Sequence, residues 1–183
     1  MGTYYPVLDG SRICEADRTV ISSVDDEDVA NWDRTLDFIL AVCLDSNSKG
    51  CAAATFKLQW RRVLGSFADV EAATEINFNA DTVLVDGANI AEVDRRCTGP
   101  GSADGWQAGE EVEGDNLSDA ITLADDYETE IHWGLDCSGA LFGQQYEFQI
   151  WNITENAAVN GPCGCLLTMA AAGYVPQIIF TLV

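Results

Sequence analysis

The chain contains a single histidine, His132, and histidine is the side chain best suited to acid–base catalysis near neutral pH. His132 lies between Ile131 and Trp133 in a stretch that alternates apolar and polar residues. This alternation predicts that His132 is on the polar, water-facing side of a strand. No glycine-rich phosphate loop, nucleophile elbow or metalloprotease motif accompanies it. We therefore predict no catalytic residues and no enzymatic activity.

Acidic and amide side chains cluster in and beside a long irregular segment, residues 97–118, and offer oxygen ligands that suit Ca²⁺. They are Asp104, Glu110, Glu111, Glu113, Asp115, Asn116 and Asp119. Their spacing matches neither an EF-hand nor an aspartate-rich repeat. The sequence therefore predicts a solvated acidic loop with no metal or cofactor, and bound Ca²⁺ is the alternative.

Seven cysteines are many for 183 residues. Cys43 and Cys51 flank a turn-rich connection, so they are the candidate disulfide if the protein meets an oxidising environment. Cys163 and Cys165 are too close in sequence to bridge each other easily. The odd number leaves at least one thiol without an intramolecular partner, and several are expected to be buried free thiols.

Tryptophan could bind carbohydrate by stacking, and the chain has five. Trp60 and Trp133 fall on the apolar sides of their predicted strands and are expected in the core. Trp106 lies near glycines in the 97–118 segment and is the candidate ligand platform. The alternative is that Trp106 folds back over the core.

The net charge is −21, from 9 basic and 30 acidic residues, and every basic residue lies at or before Arg96. Phosphate binding needs clustered Lys and Arg, so this composition excludes a nucleic-acid partner and disfavours docking on an anionic membrane. High charge of one sign promotes solubility. A saline habitat, an outward-facing position on a crowded particle and cation binding are the other interpretations.

Three stretches, residues 55–62, 127–137 and 144–154, alternate apolar and polar side chains. Such alternation is typical of strands with one face in a core. Residues 36–44 form a nearly continuous apolar run, which predicts a central strand covered on both faces. We predict an all-β fold, specifically an antiparallel β-sandwich of jelly-roll or immunoglobulin-like type.

Residues 1–34 lack a sustained period and are predicted to be an extended N-terminal arm, which leaves 35–183 as the sandwich domain. Shorter strands are expected near 68–70, 75–79, 82–85 and 120–123. Residues 138–143 would join the strands on either side as a hairpin. Residues 174–183 are strongly β-prone, and Pro176 favours an edge strand, either in the chain's own sheet or added to a neighbour's.

The first residues show no basic and apolar signal-peptide pattern, and no apolar run approaches the length of a membrane span. We therefore expect synthesis in the cytoplasm without secretion or membrane insertion.

The order of these segments resembles an uncharacterised β-sandwich module that recurs in environmental phage virion proteins and related surface proteins. The residues that carry the resemblance are the apolar strand, the 55–62 strand, the Trp-bearing loop that leads into 115–119, and the strands at 127–137 and 146–150. The resemblance covers roughly residues 35–160 and implies a structural or adhesive role. The chain departs from the module in its cysteines and in lacking basic residues after Arg96, so no binding residue is carried over.

We therefore expect a non-enzymatic virion structural protein, made in the host cytoplasm and released by lysis. It would face outward and associate with itself and with other virion proteins through the arm and the C-terminal strand. A capsid decoration (cement) protein and a tail or fibre component both fit. A glycan-binding adhesin that uses the 97–118 loop is the alternative, and a small enzyme on a jelly-roll scaffold is a third.

Overall fold

The computed structural model describes residues 5–21, 24–46, 49–78, 80–97 and 105–173. These residues form two mixed β-sheets packed face to face, so the prediction of an all-β fold is confirmed. A single turn of 3₁₀ helix, Glu92–Asp94, is the only helical element among them. Within these ranges no helix has the length and apolar character needed to cross a bilayer.

The described part of the chain contains eleven strands. They are β1 (Val7–Glu15), β2 (Val29–Trp32), β3 (Phe38–Asp45), β4 (Phe56–Arg62), β5 (Ala68–Asp69), β6 (Asn89–Ile90), β7 (Gly105–Trp106), β8 (Gly109–Val112), β9 (Tyr127–Leu135), β10 (Gln145–Asn152) and β11 (Ala157–Met169).

The first sheet has the order β1-β3-β9-β8-β6, with β7 also paired to β9, and the second has the order β2-β11-β10-β4-β5. Most neighbours are antiparallel, but β7 and β8 run parallel to β9, and β2 runs parallel to β11. The prediction of a purely antiparallel sandwich is therefore wrong. Two of these parallel pairs arise because part of the predicted 97–118 loop lies along β9 as two short strands, and the third arises because β2 lies along β11.

The core lies between the sheets and is built from alternate residues of the strands, as the sequence pattern predicts. Its largest contributors include Phe56 and Leu58 from β4, Trp133 from β9, and Phe148 and Ile150 from β10. The rings of Phe38 and Phe148 meet edge-on across the two sheets with centroids 5.9 Å apart. Strand β3 is buried on both faces, which confirms the interpretation of the apolar run.

The N-terminal region is part of the sandwich. Strand β1 pairs along its length with β3, and β2 pairs with β11 in the other sheet. Ile13 is fully buried in the core. The prediction of an arm outside the sandwich is therefore wrong for these strands, because tertiary pairing supplies the order that their weak periodicity does not indicate.

Residues 138–143 do not close a hairpin between the strands that they connect. Strand β9 belongs to the first sheet and β10 to the second, so the link crosses from one sheet to the other. Strand β5 confirms the predicted strand near 68–70. Among the described residues, the strands predicted near 75–79 and 120–123 contribute only the isolated bridges Asn77↔Asp136 and Ala54↔Ile121, and 82–85 forms no strand.

Strand β11 is the longest strand described, and it was not predicted from the sequence. Its buried side alternates through Cys163, Cys165, Leu167 and Met169. The predicted C-terminal strand, residues 174–183, and loop residues 98–104 lie outside the described residues.

Candidate functional site

The outer face of β9 carries Glu128, Glu130 and His132, and all three side chains are buried. Their exposed fractions are 3%, 0% and 0%. The alternation correctly predicts that Glu130 and His132 point away from the core, but the prediction that this face is in water is wrong. A second layer of chain covers it.

Residues 82–97, here called the covering segment, form much of this layer. Three carboxylates accept hydrogen bonds from the segment's backbone: two lie on strands β8 and β9, and one lies just after β8. Glu113 accepts from Thr82 N at 3.2 Å, and Glu111 accepts from Val85 N at 2.7 Å. Glu130 accepts from the backbone N–H groups of residues 96 and 97 at 2.9 and 2.7 Å. Carboxylates therefore satisfy polar backbone that has no sheet partner.

Arginines offset part of the negative charge in this buried layer. Arg18 pairs with Glu111, and Arg95 pairs with Glu128. The Nε atom of Arg95 also lies 3.9 Å from Oε1 of Glu130. Burying ion pairs brings little net stability, but removing one partner leaves an uncompensated charge inside the protein. The layer is thus sensitive to substitution at any of these positions.

His132 and Glu130 form a dyad within the layer, with Nε2 and Oε2 2.7 Å apart. The other ring nitrogen, Nδ1, is buried without a hydrogen-bond partner. A proton on Nε2 satisfies the contact with Glu130, whereas a proton on Nδ1 would be an unsatisfied buried donor. A general base must come within hydrogen-bond distance of the proton that it removes, and both side chains of this dyad are buried. In this structure the dyad connects β9 to the covering segment, because Glu130 also accepts from the backbone of residues 96 and 97.

A second group of side chains, on three adjacent strands of the first sheet, could hold a metal ion. Asp9 of β1, Cys43 of β3 and Glu128 of β9 each direct one potential ligand atom to a common point, and these atoms lie within 4.8 Å of one another. The Sγ atom of Cys43 is 4.0 Å from Oε2 of Glu128. Asp9 reaches this point because β1 has a bulge between Leu8 and Gly10.

The surroundings of this trio disfavour the charged forms of its two carboxylates. Burial, together with the charges of Asp45 and Asp25, raises the pKa of Asp9. Burial also raises the pKa of Glu128, although the nearby Arg95 opposes the shift. The Oδ2 atom of Asp9 is buried and has no hydrogen-bond partner. The carboxylates of this trio therefore lie close together in buried surroundings that offer them few hydrogen-bond donors.

All seven cysteines are buried free thiols, so the predicted Cys43–Cys51 disulfide is not formed. Cys43 packs with Ala41 and Cys97 on the outer side of the first sheet, whereas Cys51 belongs to the main core. The two residues are close in sequence, but their side chains lie in different layers. Cys163 and Cys165 lie two residues apart on β11 and share its buried face.

The described acids of the predicted Ca²⁺ loop serve separate structural contacts. The N–H of Asp119 donates to Glu110 and is shared between its two carboxylate oxygens, and Asp115 accepts a hydrogen bond from Leu117 N. Glu111 and Glu113 hold the covering segment, as described above. The expectation that these side chains are solvated is wrong for Glu110 and Glu111, which are buried. Asp104 lies outside the described residues, and bound Ca²⁺ stays the untested alternative.

Trp106 lies in β7 and is half-buried. The guanidinium carbon of Arg95 is 5.6 Å from the centroid of its ring, so the charge of Arg95 stacks on one face of the indole. This contact links Trp106 to the pair of Arg95 and Glu128. Its use as a carbohydrate platform stays a prediction.

Sequence reasoning missed the layer beneath the covering segment and the trio of Asp9, Cys43 and Glu128. A recognisable signal is the run Glu128-Thr-Glu-Ile-His132, which places three titratable residues on one face of a single strand. Asp9 and Cys43 join it only through the pairing of β1, β3 and β9.

No protein-family model, curated protein or solved structure matches the chain.

Proposed function

We propose that the protein is a non-enzymatic structural component of a virus particle, outward-facing and self-associating. A capsid decoration protein and a tail or fibre component are the two forms of this role. The resemblance to phage virion modules and the strongly acidic composition support the proposal. We also propose that the sandwich is of jelly-roll or immunoglobulin-like type. In these folds, strands that are distant in sequence lie side by side in the same sheet.

The observation that carries self-association is a set of exposed apolar residues at one end of the sandwich, here called the apolar end. Leu36, Leu141 and Phe142 are 54%, 44% and 53% exposed. Their loops are joined: Gly143 N donates to the carbonyl of Ala170 at 3.1 Å, and Ala170 N donates to the carbonyl of Trp32 at 2.8 Å. Grouped apolar side chains on a soluble protein mark interaction surfaces.

A cleft of about 450 Å³ opens beside this end, with Trp32 and Leu36 in its lining. Four carboxylates also line it: Glu15, Asp17, Asp37 and Asp81. An apolar partner without negative charge therefore fits the cleft better than an acidic one.

Residues 174–183 of a second copy are the partner that we propose for the apolar end. The described chain reaches Gly173 only three residues after Ala170, which lies at this end. The ten residues that follow are rich in Ile, Val, Phe and Leu and carry no charged side chain. They can therefore bring apolar area to a neighbour without adding to the repulsion between copies.

Truncation after Gly173 tests the proposal directly. We expect the full chain to form defined oligomers and the 1–173 chain to be a monomer at the same concentration, measured by light scattering. Phe142→Ser should weaken association, because it removes apolar area from the receiving surface. Val93→Ser is the matched control, since Val93 is 87% exposed but lies on the covering segment.

Oligomers that persist in both the 1–173 chain and the Phe142→Ser variant would contradict this mode of association. A full chain that remains monomeric would favour the adhesin alternative or a cement protein that assembles only on its capsid lattice.

A further inference from the structure

We propose that Asp9, Cys43 and Glu128 form a binding site for a single thiophilic divalent metal ion, of which Zn²⁺ is the best match. The site is independent of the proposed role in a virus particle, because it rests only on contacts within one chain.

The geometry needs only small adjustments to hold such an ion. Zinc bound tetrahedrally by one thiolate and two carboxylates places neighbouring ligand atoms about 3.5 Å apart. The three ligand atoms now lie within 4.8 Å of one another, and Cys43 Sγ is 4.0 Å from Glu128 Oε2. Side-chain movements of less than about 1 Å would therefore close the site. Three protein ligands would leave a fourth position for water or another group.

The donor set selects the class of metal. A thiolate is a soft ligand that favours zinc and related transition metals over Ca²⁺ and Mg²⁺, whereas the carboxylates alone would accept either class. The Cys43 side chain is fully buried and packs against Cys97. Cys97 is thus a nearby source of a second sulfur ligand.

Two unsatisfied features point toward a cation. The Oδ2 atom of Asp9 is a buried acceptor with no donor in reach, and such groups normally find a partner. Asp9 and Glu128 also share their surroundings with Asp45, opposed by Arg95. A divalent ion would supply both the missing contact and the missing positive charge. Asp9 is partly exposed, which gives the ion a path from solvent.

Arg95 supports the site from outside the trio. It pairs with Oε1 of Glu128, which leaves Oε2 facing Cys43. Its own Nε donates to the carbonyl of Cys97 at 2.8 Å, and its guanidinium lies over Trp106. Such outer contacts orient metal ligands and tune their affinity. Arg95 is therefore a positioning residue for Glu128.

The strongly acidic surface complicates the test, because it attracts divalent ions without any specific site. The readout must therefore report the sulfur ligand. Co²⁺ serves as the probe, because thiolate coordination produces a charge-transfer band in the near ultraviolet that carboxylate coordination does not.

We would titrate the reduced, chelator-treated full chain with Co²⁺ and then add Zn²⁺. The expected result is a thiolate band that saturates at one ion per chain and disappears when Zn²⁺ displaces the probe. Cys43→Ser should abolish the band, and Asp9→Asn should weaken Co²⁺ binding by more than about tenfold, since even the loss of an outer partner has effects of that size. Cys51→Ser and Asp115→Asn are the matched controls and should keep the band.

Circular dichroism would confirm that each variant is folded, and the rise in unfolding temperature on adding Zn²⁺ provides a second readout. We expect this rise in the wild-type protein and in Asp115→Asn, and a much smaller one in Asp9→Asn. Absence of a charge-transfer band in the folded wild-type protein would overturn the proposal. A band of equal intensity in folded Cys43→Ser would overturn it as well.

Discussion

The Nε2 atom of His132 lies 2.7 Å from Oε2 of Glu130, and both side chains are fully buried on the outer face of β9. The same carboxylate accepts hydrogen bonds from the backbone N–H groups of Arg96 and Cys97. Glu130 thus joins the sheet to the end of the covering segment. A single buried acidic side chain thus accepts from two backbone N–H groups and contacts the imidazole of His132.

Replacing Glu130 by Ala should lower the free energy of unfolding by about 3 kcal/mol or more, because it leaves buried donors without an acceptor. Glu130→Gln should have a smaller effect, since it keeps one acceptor oxygen. Urea unfolding monitored by tryptophan fluorescence measures both. The exposed Glu155→Ala provides the control and should change stability by less than about 0.5 kcal/mol. Equal effects at the two positions would refute the role assigned to Glu130.

The pH dependence of stability should change when Asp9 is replaced. Burial, Asp45 and Asp25 raise the pKa of Asp9 above its ordinary value of 3.8, so the folded state binds this proton more tightly than the unfolded state does. Stability contributed by Asp9 is then present at low pH and is lost as pH rises through the raised pKa. Asp9→Asn cannot ionise, so we expect it to gain stability relative to the wild type as pH rises.

The measurement is the urea midpoint of both proteins across about pH 4 to 8, with a chelator present throughout. Asp115→Asn removes an exposed carboxylate and serves as the control. A difference between Asp9→Asn and the wild type that stays constant with pH would show that burial of Asp9 does not penalise its charge. With Zn²⁺ in place of the chelator, the proposed metal site predicts the opposite sign at neutral pH.

The seven thiols should be unreactive in the folded protein. All are buried, and burial raises the pKa of Cys14 and Cys137 to about 12 and that of Cys165 to about 11. Thiolate is the reactive form, so modification requires opening of the structure. We expect a thiol reagent at mildly alkaline pH to label all seven cysteines only in denaturant. Rapid labelling of any cysteine below the unfolding transition would contradict this description.

Asn116 should be a structural residue of the loop that was considered for Ca²⁺. Its Oδ1 accepts from Leu58 N, and its Nδ2 donates to the carbonyls of Leu58 and Val70. It therefore supplies hydrogen bonds on the side of β4 opposite β10, next to the residues that pair with β5. Asn116→Ala should lower stability by about 2 kcal/mol, whether or not calcium is present. Asp115→Ala, at the exposed neighbouring position, should have little effect, and a calcium-dependent loss in the Asn116 variant would instead support an ion in this loop.

The strands that could be predicted from the sequence are those whose core side consists of large apolar residues. Phe56, Leu58 and Trp60 indicate β4, and Ile131, Trp133 and Leu135 indicate β9, because strong hydrophobic alternation fixes both the strand and its inward face. Strand β11 has the same alternation. Its inward residues include Cys163 and Cys165 among glycines and a proline, so the pattern is weaker.

The candidate site could not be predicted in the same way. The period of β9 shows that Glu130 and His132 share a face, but no local pattern shows that an irregular segment 35 to 50 residues earlier covers that face. The trio of Asp9, Cys43 and Glu128 depends on strand order, register and one bulge. These features are set by long-range pairing, which a single sequence does not specify.

The most direct test of the central proposal is the mass of the full chain in solution, measured by light scattering across a range of concentrations at low and high salt. Association through the apolar end should give defined oligomers whose population increases with concentration. It should also increase with salt, because salt screens the repulsion between copies that each carry a charge of −21. A mass that remains that of one chain at every concentration and salt level would contradict a self-associating structural protein.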